Sequence, residues 1–151
     1  MIEGSSVVPA IEGTNSSYRC EGVGILAILD TLTDVCNTHN ITKGSMTICC
    51  DNLMVIENME SWSQLRMTPS HKNADLMSAC LRLRDSLPIN INWKHIYGHQ
   101  DESIPYHMLP RLAQINIDMD HKAKELVTKM IYNKDIRYSR CDHPHSFMLC
   151  T

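Results

Sequence analysis

An α/β fold is the class this sequence predicts, and three observations carry that expectation. Two short apolar runs, 46–50 and 91–97, have strand character. Apolar residues recur at helical spacing over about 16–38, 73–87 and 110–133. Helical stretches also separate the two strand runs, the order from which parallel α/β units are built.

The first helix can be capped by Ser16 or Ser17, whose hydroxyls accept from free backbone N–H groups. Ile25, Leu26, Leu29, Leu32, Val35 and Cys36 then form its apolar stripe to about residue 38. Glu21 falls near the edge of that stripe. It is either a first-turn acid favoured by the helix dipole or a functional carboxylate. Asn40 to Gly44 turn the chain. Met46-Thr47-Ile48-Cys49-Cys50 is nearly continuous in apolar character, as for a strand buried on both faces. Asp51 stands at its carboxyl end, where open α/β sheets place ligands, but it could equally cap a helix over 52–59.

Residues 60–71 read as a loop containing Trp62. A further helix starts at Asn73-Ala74-Asp75-Leu76, carries Leu76, Cys80, Leu83 and Leu87 on one stripe, and ends before Pro88. Arg82 and Arg84 belong to its solvated face, or touch phosphates. Ile91, Trp93 and His95 alternate onto one side of the second strand, and Gly98 permits a sharp exit. A polar loop over 100–108 leads to Pro110, which suits the first turn of a long helix reaching about Asn133. Its expected buried stripe is Leu112, Ile115, Met119, Ala123, Leu126 and Met130, with Asn116 and Asp120 sharing the adjacent face. Asp118, rotated about 200° from Asp120, is expected to face solvent. Ahead of all this, 7–11 could form an edge strand at best, because Pro9 cannot donate to a ladder.

The 151 residues are enough for one domain with a real core, expected over 1–133, followed by an irregular tail over 134–151. The net charge of −3 excludes a global basic footprint, so nucleic acid would be held by a local patch or by bridging metals. No run approaches the ~18 apolar residues of a membrane span. Seven cysteines, an odd number with no Cys-x-x-Cys pair, and no apolar leader in the first 25 residues point to reduced thiols in the cytoplasm or nucleus and not to a secreted protein. Cys141, His143, His145 and Cys150 are zinc-ligand types at a spacing that fits no common finger.

Three separate pieces resemble one family, type 1 ribonuclease H, and most of all the ribonuclease H domains of retroelement reverse transcriptases. Ser16-Ser17-Tyr18-Arg19-Cys20-Glu21 is similar to the helix opening that carries the family's catalytic glutamate. Asp51-Asn52 after a buried strand resembles its next aspartate. Tyr97-Gly98-His99-Gln100-Asp101, with Asn116 to Ala123 beyond it, resembles the histidine loop and the last aspartate.

The resemblance implies a ribonuclease H-like mixed central sheet flanked by helices. Glu21, Asp51 and Asp120 would be metal-site carboxylates holding Mg²⁺ at two sites. His99 would assist proton transfer or product release, and Ser17, Arg19, Asn52 and Asn116 would contact an RNA–DNA hybrid. Two Mg²⁺ ions about 3.5–4 Å apart can activate a water and stabilise the leaving oxygen of a phosphodiester. The 2′-hydroxyls of the RNA strand would mark which strand is cut.

The pattern departs from the family in one respect. No Asp precedes Asp30, so the first-strand aspartate is missing, and the sheet is expected to lack its first one or two strands. The expectation is therefore a truncated retroelement piece, weakly active or inactive alone, whose missing strand could come from an upstream polyprotein segment. The alternatives are a non-catalytic nucleic-acid-binding remnant or an integrase- or transposase-like member of the same fold.

Overall fold

The computed structural model describes residues 16–63, 68 and 70–133; the possible edge strand at 7–11 and the Cys/His tail lie outside them. Helices and a parallel strand pair follow in the order α1 (Ser17–Thr38), β1 (Ser45–Cys50), α2 (Leu53–Ser61), α3 (Ala74–Ser86), β2 (Asn90–His95) and α4 (Arg111–Asn133). They divide into two compact units, one ending at His95 and the other beginning at Ile96.

In the first unit, Ser16 is extended and its hydroxyl accepts from the Arg19 N–H at 3.3 Å, so Ser17 is the first helical residue and not the cap. Such a cap contributes about 1 kcal/mol. α1 ends in a left-handed Asn40, with Ile41 N–H donating to Cys36 O at 2.8 Å and Asn40 N–H to Asn37 O at 3.4 Å. These bonds occupy carbonyls that the end of a helix otherwise leaves open. The buried face of α1 is Gly22, Val23, Ile25, Leu29 and Cys36. Val35, expected on the stripe, is 40 % exposed, because one residue of helix turns a side chain by about 100°.

β1 and β2 pair in parallel, from Ser45 opposite Asn90 to Cys50 opposite His95, with α2 and α3 as the crossover. β1 is not buried on both faces, as its apolar run suggested. Only Ile48 and Cys50 are buried, and Met46 is 42 % exposed. Among the described residues β2 is its sole strand neighbour, which leaves the first half of β1 thinly covered. β2 alternates as expected, with Ile91, Trp93 and His95 half-buried, but it stops two residues short of the exposed Tyr97.

The three helices of this unit share one core. Leu29 of α1, Val55 and Met59 of α2, and Met77, Cys80 and Leu81 of α3 are all essentially inaccessible. Met77 and Leu81 broaden the α3 stripe, while Leu83 and Leu87 are only half-buried. α1 approaches α3 at Gly22, where an added Cβ would stand 2.7 Å from Leu76 Cδ2. Beside this contact Cys80 Sγ donates to Gly22 O at 3.6 Å. Asn58 Nδ2 on α2 donates to Tyr18 Oη on α1 at 2.7 Å.

Arg84, expected on the solvated face, is instead only 18 % exposed. It donates to the carbonyls of Met59 and Trp62 and pairs with Asp85. The end of α2 presents carbonyls that need a donor, and the guanidinium fork supplies it.

The second unit contains two short 3₁₀ turns, Gln100–Glu102 and Tyr106–Met108, inside the expected loop, and then α4 directly after Pro110. The sharp backbone position after β2 is His99 at φ 52°, and Gly98 does not take a positive φ. The buried stripe is Leu109, Ala113 and Ile117. This corrects the expected stripe: Leu112 and Leu126 are each 39 % exposed and Ala123 is exposed. Apolar residues occupy several sides of the first turns of α4, so its periodicity alone could not select the buried side. Among the described residues no helix is long and apolar enough to cross a membrane.

Candidate functional site

Glu21 lies beyond the first turn of α1, which holds no acidic residue. The dipole reading of this carboxylate therefore loses its basis, since the effect fades within the first turn. Asp51 follows the last residue of β1 and is not the cap of α2. That role belongs to Asn52, whose side chain accepts from Val55 N–H at 3.3 Å. The carboxyl end of β1 thus delivers Cys50 and Asp51 to the side of α1 that carries Glu21.

One donor atom from each of Glu21, Cys50 and Asp51 lies within 4.8 Å of the others. The two carboxylates are half-buried and the thiol is buried. Cys50 Sγ donates to Glu21 Oε2 at 3.4 Å, and Asn52 N–H donates to the same sulfur at 3.4 Å. Burial, reinforced by the Glu21 and Asp51 carboxylates and opposed by the backbone contact at Asn52, pushes the Cys50 thiol up to about 12. His95 stands opposite Cys50 in the strand register, and its Nε2 lies 3.1 Å from the Asp51 carbonyl oxygen, donating to it.

Two of the expected substrate contacts serve the fold. Asn52 is the α2 cap. Arg19, with only 14 % of its side chain exposed, forks onto Asp75 at 3.2 and 2.8 Å and donates to Asn73 Oδ1 at 3.2 Å, which ties α1 to α3. The hydrogen-bonded Asp75 holds the Arg19 guanidinium above its ordinary value, and Arg19 holds Asp75 below the usual carboxylate value. Arg19 Nε is buried without a hydrogen-bond partner among the described residues. Ser17 is exposed on the first turn of α1.

The remaining site candidates belong to the second unit. Asp120 on α4 accepts from Lys124 Nζ at 2.6 Å, and this bond raises the lysine's pKa. Asn116, one turn earlier on the same helix, is half-buried. His99 is exposed, with Nδ1 3.7 Å from Glu102 Oε1. Asp118 does not simply face solvent: it is half-buried and accepts from Tyr106 Oη at 2.9 and 3.0 Å.

No family model, curated protein or solved structure matches this chain.

The implied Mg²⁺ can be tested against these donors. Mg²⁺ takes oxygen ligands in near-octahedral geometry and binds thiols poorly. Glu21 and Asp51 supply oxygens, but the third donor in their cluster is sulfur, and that set does not fit Mg²⁺. Sequence reasoning placed Cys50 among the buried strand thiols and missed it as a site residue. The available signal was its position: the last strand residue, directly before the carboxylate at the ligand end of the sheet.

Proposed function

We propose that the chain is a ribonuclease H-like domain of retroelement type that acts on the RNA strand of RNA–DNA hybrids weakly or not at all by itself. The observation supporting this reading is the convergence of Glu21 and Asp51. They lie on different elements, thirty positions apart, yet they share one cluster at the carboxyl end of a parallel strand. This is where α/β sheets assemble ligand sites. In this reading Asp120 and His99 take, by the resemblance alone, the roles of last carboxylate and proton-transfer histidine. An Asp-bearing strand from an upstream polyprotein segment would pair along β1 beside Asp51.

The test uses a hybrid with a labelled RNA strand, the purified chain and Mg²⁺. Cleavage of the RNA strand is expected once an Asp-bearing strand is supplied in trans, and is then lost in both Glu21→Gln and Asp51→Asn. Equal cleavage by the wild type and Asp51→Asn would overturn the proposal. The sulfur in the carboxylate cluster favours a second reading, a non-catalytic nucleic-acid-binding remnant. Its mark is filter retention of the hybrid, uncut, by the wild type and Asp51→Asn alike.

A further inference from the structure

We propose that Glu21, Cys50 and Asp51 form a mononuclear site for a thiophilic divalent cation of the Zn²⁺ class, with Cys50 as its sulfur ligand. The mismatch with Mg²⁺ is the starting point. Zn²⁺ accepts sulfur and carboxylate oxygen together, at about 2.3 Å and about 2.0–2.2 Å, in tetrahedral geometry. Those lengths place sulfur and oxygen about 3.6 Å apart around a bound ion. Cys50 Sγ and Glu21 Oε2 are 3.4 Å apart, so this pair already has the required separation. Asp51 joins within the 4.8 Å span of the cluster, and a side-chain adjustment of about 1 Å brings its oxygen onto the same ion.

The surroundings suit such a site. Asn52 N–H already points at the sulfur, and a backbone donor of this kind stabilises a ligating thiolate. His95 Nε2 pins the Asp51 carbonyl, which fixes the backbone that carries two of the three donors. Partners of this outer kind orient ligands and sustain affinity. On binding, the Cys50 S–H bond breaks, its proton leaves to solvent, and a sulfur–metal bond forms. No electron is transferred, and the three anionic ligands outweigh the dication by one charge. Three protein donors leave the fourth tetrahedral position to water. The site does not depend on hybrid cleavage: a chain that cuts nothing still binds the ion.

The test titrates Cd²⁺, as a spectroscopic stand-in for Zn²⁺, into the reduced, metal-free full chain and follows the thiolate-to-cadmium charge-transfer absorption. The tail residues Cys141 and Cys150 could bind the same ion, so a Cys141→Ser/Cys150→Ser variant serves as the background for every measurement. In that background a single equivalent is expected to give the band and Zn²⁺ to displace it, while excess Mg²⁺ does not. Cys50→Ser and Cys50→Ala should both lose the band while retaining the far-UV circular dichroism of the parent. Glu21→Gln and Asp51→Asn should each weaken binding by at least about tenfold, the minimum for losing even an outer-shell partner. An undiminished band in either folded Cys50 variant would overturn the site. So would unchanged affinity in both carboxylate variants, or displacement of Cd²⁺ by equimolar Mg²⁺.

Discussion

Gly22 and Gly24 lie two residues apart in α1 and separate helix propensity from packing. Alanine at either position should gain about 0.5–1 kcal/mol, because glycine is a poor residue inside a helix. At the exposed Gly24 a Cβ meets nothing within 4 Å, so the gain should appear in full. At Gly22 the Cβ would lie 2.7 Å from Leu76 Cδ2 and 3.5 Å from Leu76 Cγ. Carbon atoms pack at about 3.5–4.0 Å, so the Leu76 methyl must retreat by about 1 Å. Leu76 is 5 % exposed and has little room to do so. Overpacking of this kind costs about 1–3 kcal/mol. Gly22→Ala should therefore lie between neutral and about 2 kcal/mol destabilising, and about 1–3 kcal/mol below Gly24→Ala. Urea unfolding followed by circular dichroism measures the gap, provided the m-values agree. In a Leu76→Ala background the obstructing methyl is gone, and the gap should close. Gly22→Ala should also weaken Cd²⁺ binding, since Glu21 is its chain neighbour, whereas Gly24→Ala should not. Equal stability of the two alanine variants, within about 0.5 kcal/mol, would refute the packing argument.

Arg84→Ala should destabilise by about 1–3 kcal/mol by removing the donor that the Met59 and Trp62 carbonyls share, and Arg84→Lys should recover only part of it; thermal melts of the two variants decide this. Arg19 holds Asp75 below the ordinary carboxylate value, so the ionised form is favoured in the folded state. That stabilisation is present above pH about 4 and is lost as pH falls further, and Asp75→Asn should remove this part of the acid limb of a stability–pH curve. Because 66 % of the Asp75 side chain is exposed, its size should stay below about 1 kcal/mol. Burial pushes the Cys50 and Cys80 thiols up to about 12. The unfolded chain releases these protons near pH 8.5, so stability is intact below that value and declines as pH rises towards 12. Cys80→Ala should flatten the decline in melts recorded from neutral to alkaline pH.

The elements that depend on local chemistry were legible in the sequence. Ser16 caps α1 because its hydroxyl reaches the next turn, Asn40 turns the chain, and β2 shows its alternation in Ile91, Trp93 and His95. Misreadings arose where a distant partner decides. Arg84 looks like a surface residue until the carbonyls at the end of α2 arrive beside it. Arg19 looks available for phosphate until Asp75, 56 positions away, takes both arms of its fork. The sharp φ after β2 fell on His99 although Gly98 adjoins it, which no rule of local propensity selects. The buried side of α4 runs through Leu109, a residue outside the helix, so a stripe counted within the helix started in the wrong place. The position of Asp51 at a strand end was legible, whereas the choice of Asn52 over Asp51 as the α2 cap was not. The part played by Cys50 depended on Glu21 reaching it from 29 positions earlier, a contact that exists only once α1 packs against the strand.

The pairing of Ser45 with Asn90 has a consequence for synthesis. β1 emerges from the ribosome about 45 residues before the strand that will hydrogen-bond to it. At 5–20 residues per second that gap lasts about 2–9 s. α1 and α2 can already pack during this interval, but the Ile48 and Cys50 side of β1 has a cover of helices and no ladder. An unpaired strand edge with adjacent thiols, Cys49 and Cys50, is then offered to any neighbouring nascent chain. Substitutions in β2 would consequently lower the yield of folded protein by more than their effect on the finished molecule, because they prolong this exposure. The length of the crossover, set by α2 and α3, is in this sense a timer for how long β1 waits for its partner strand.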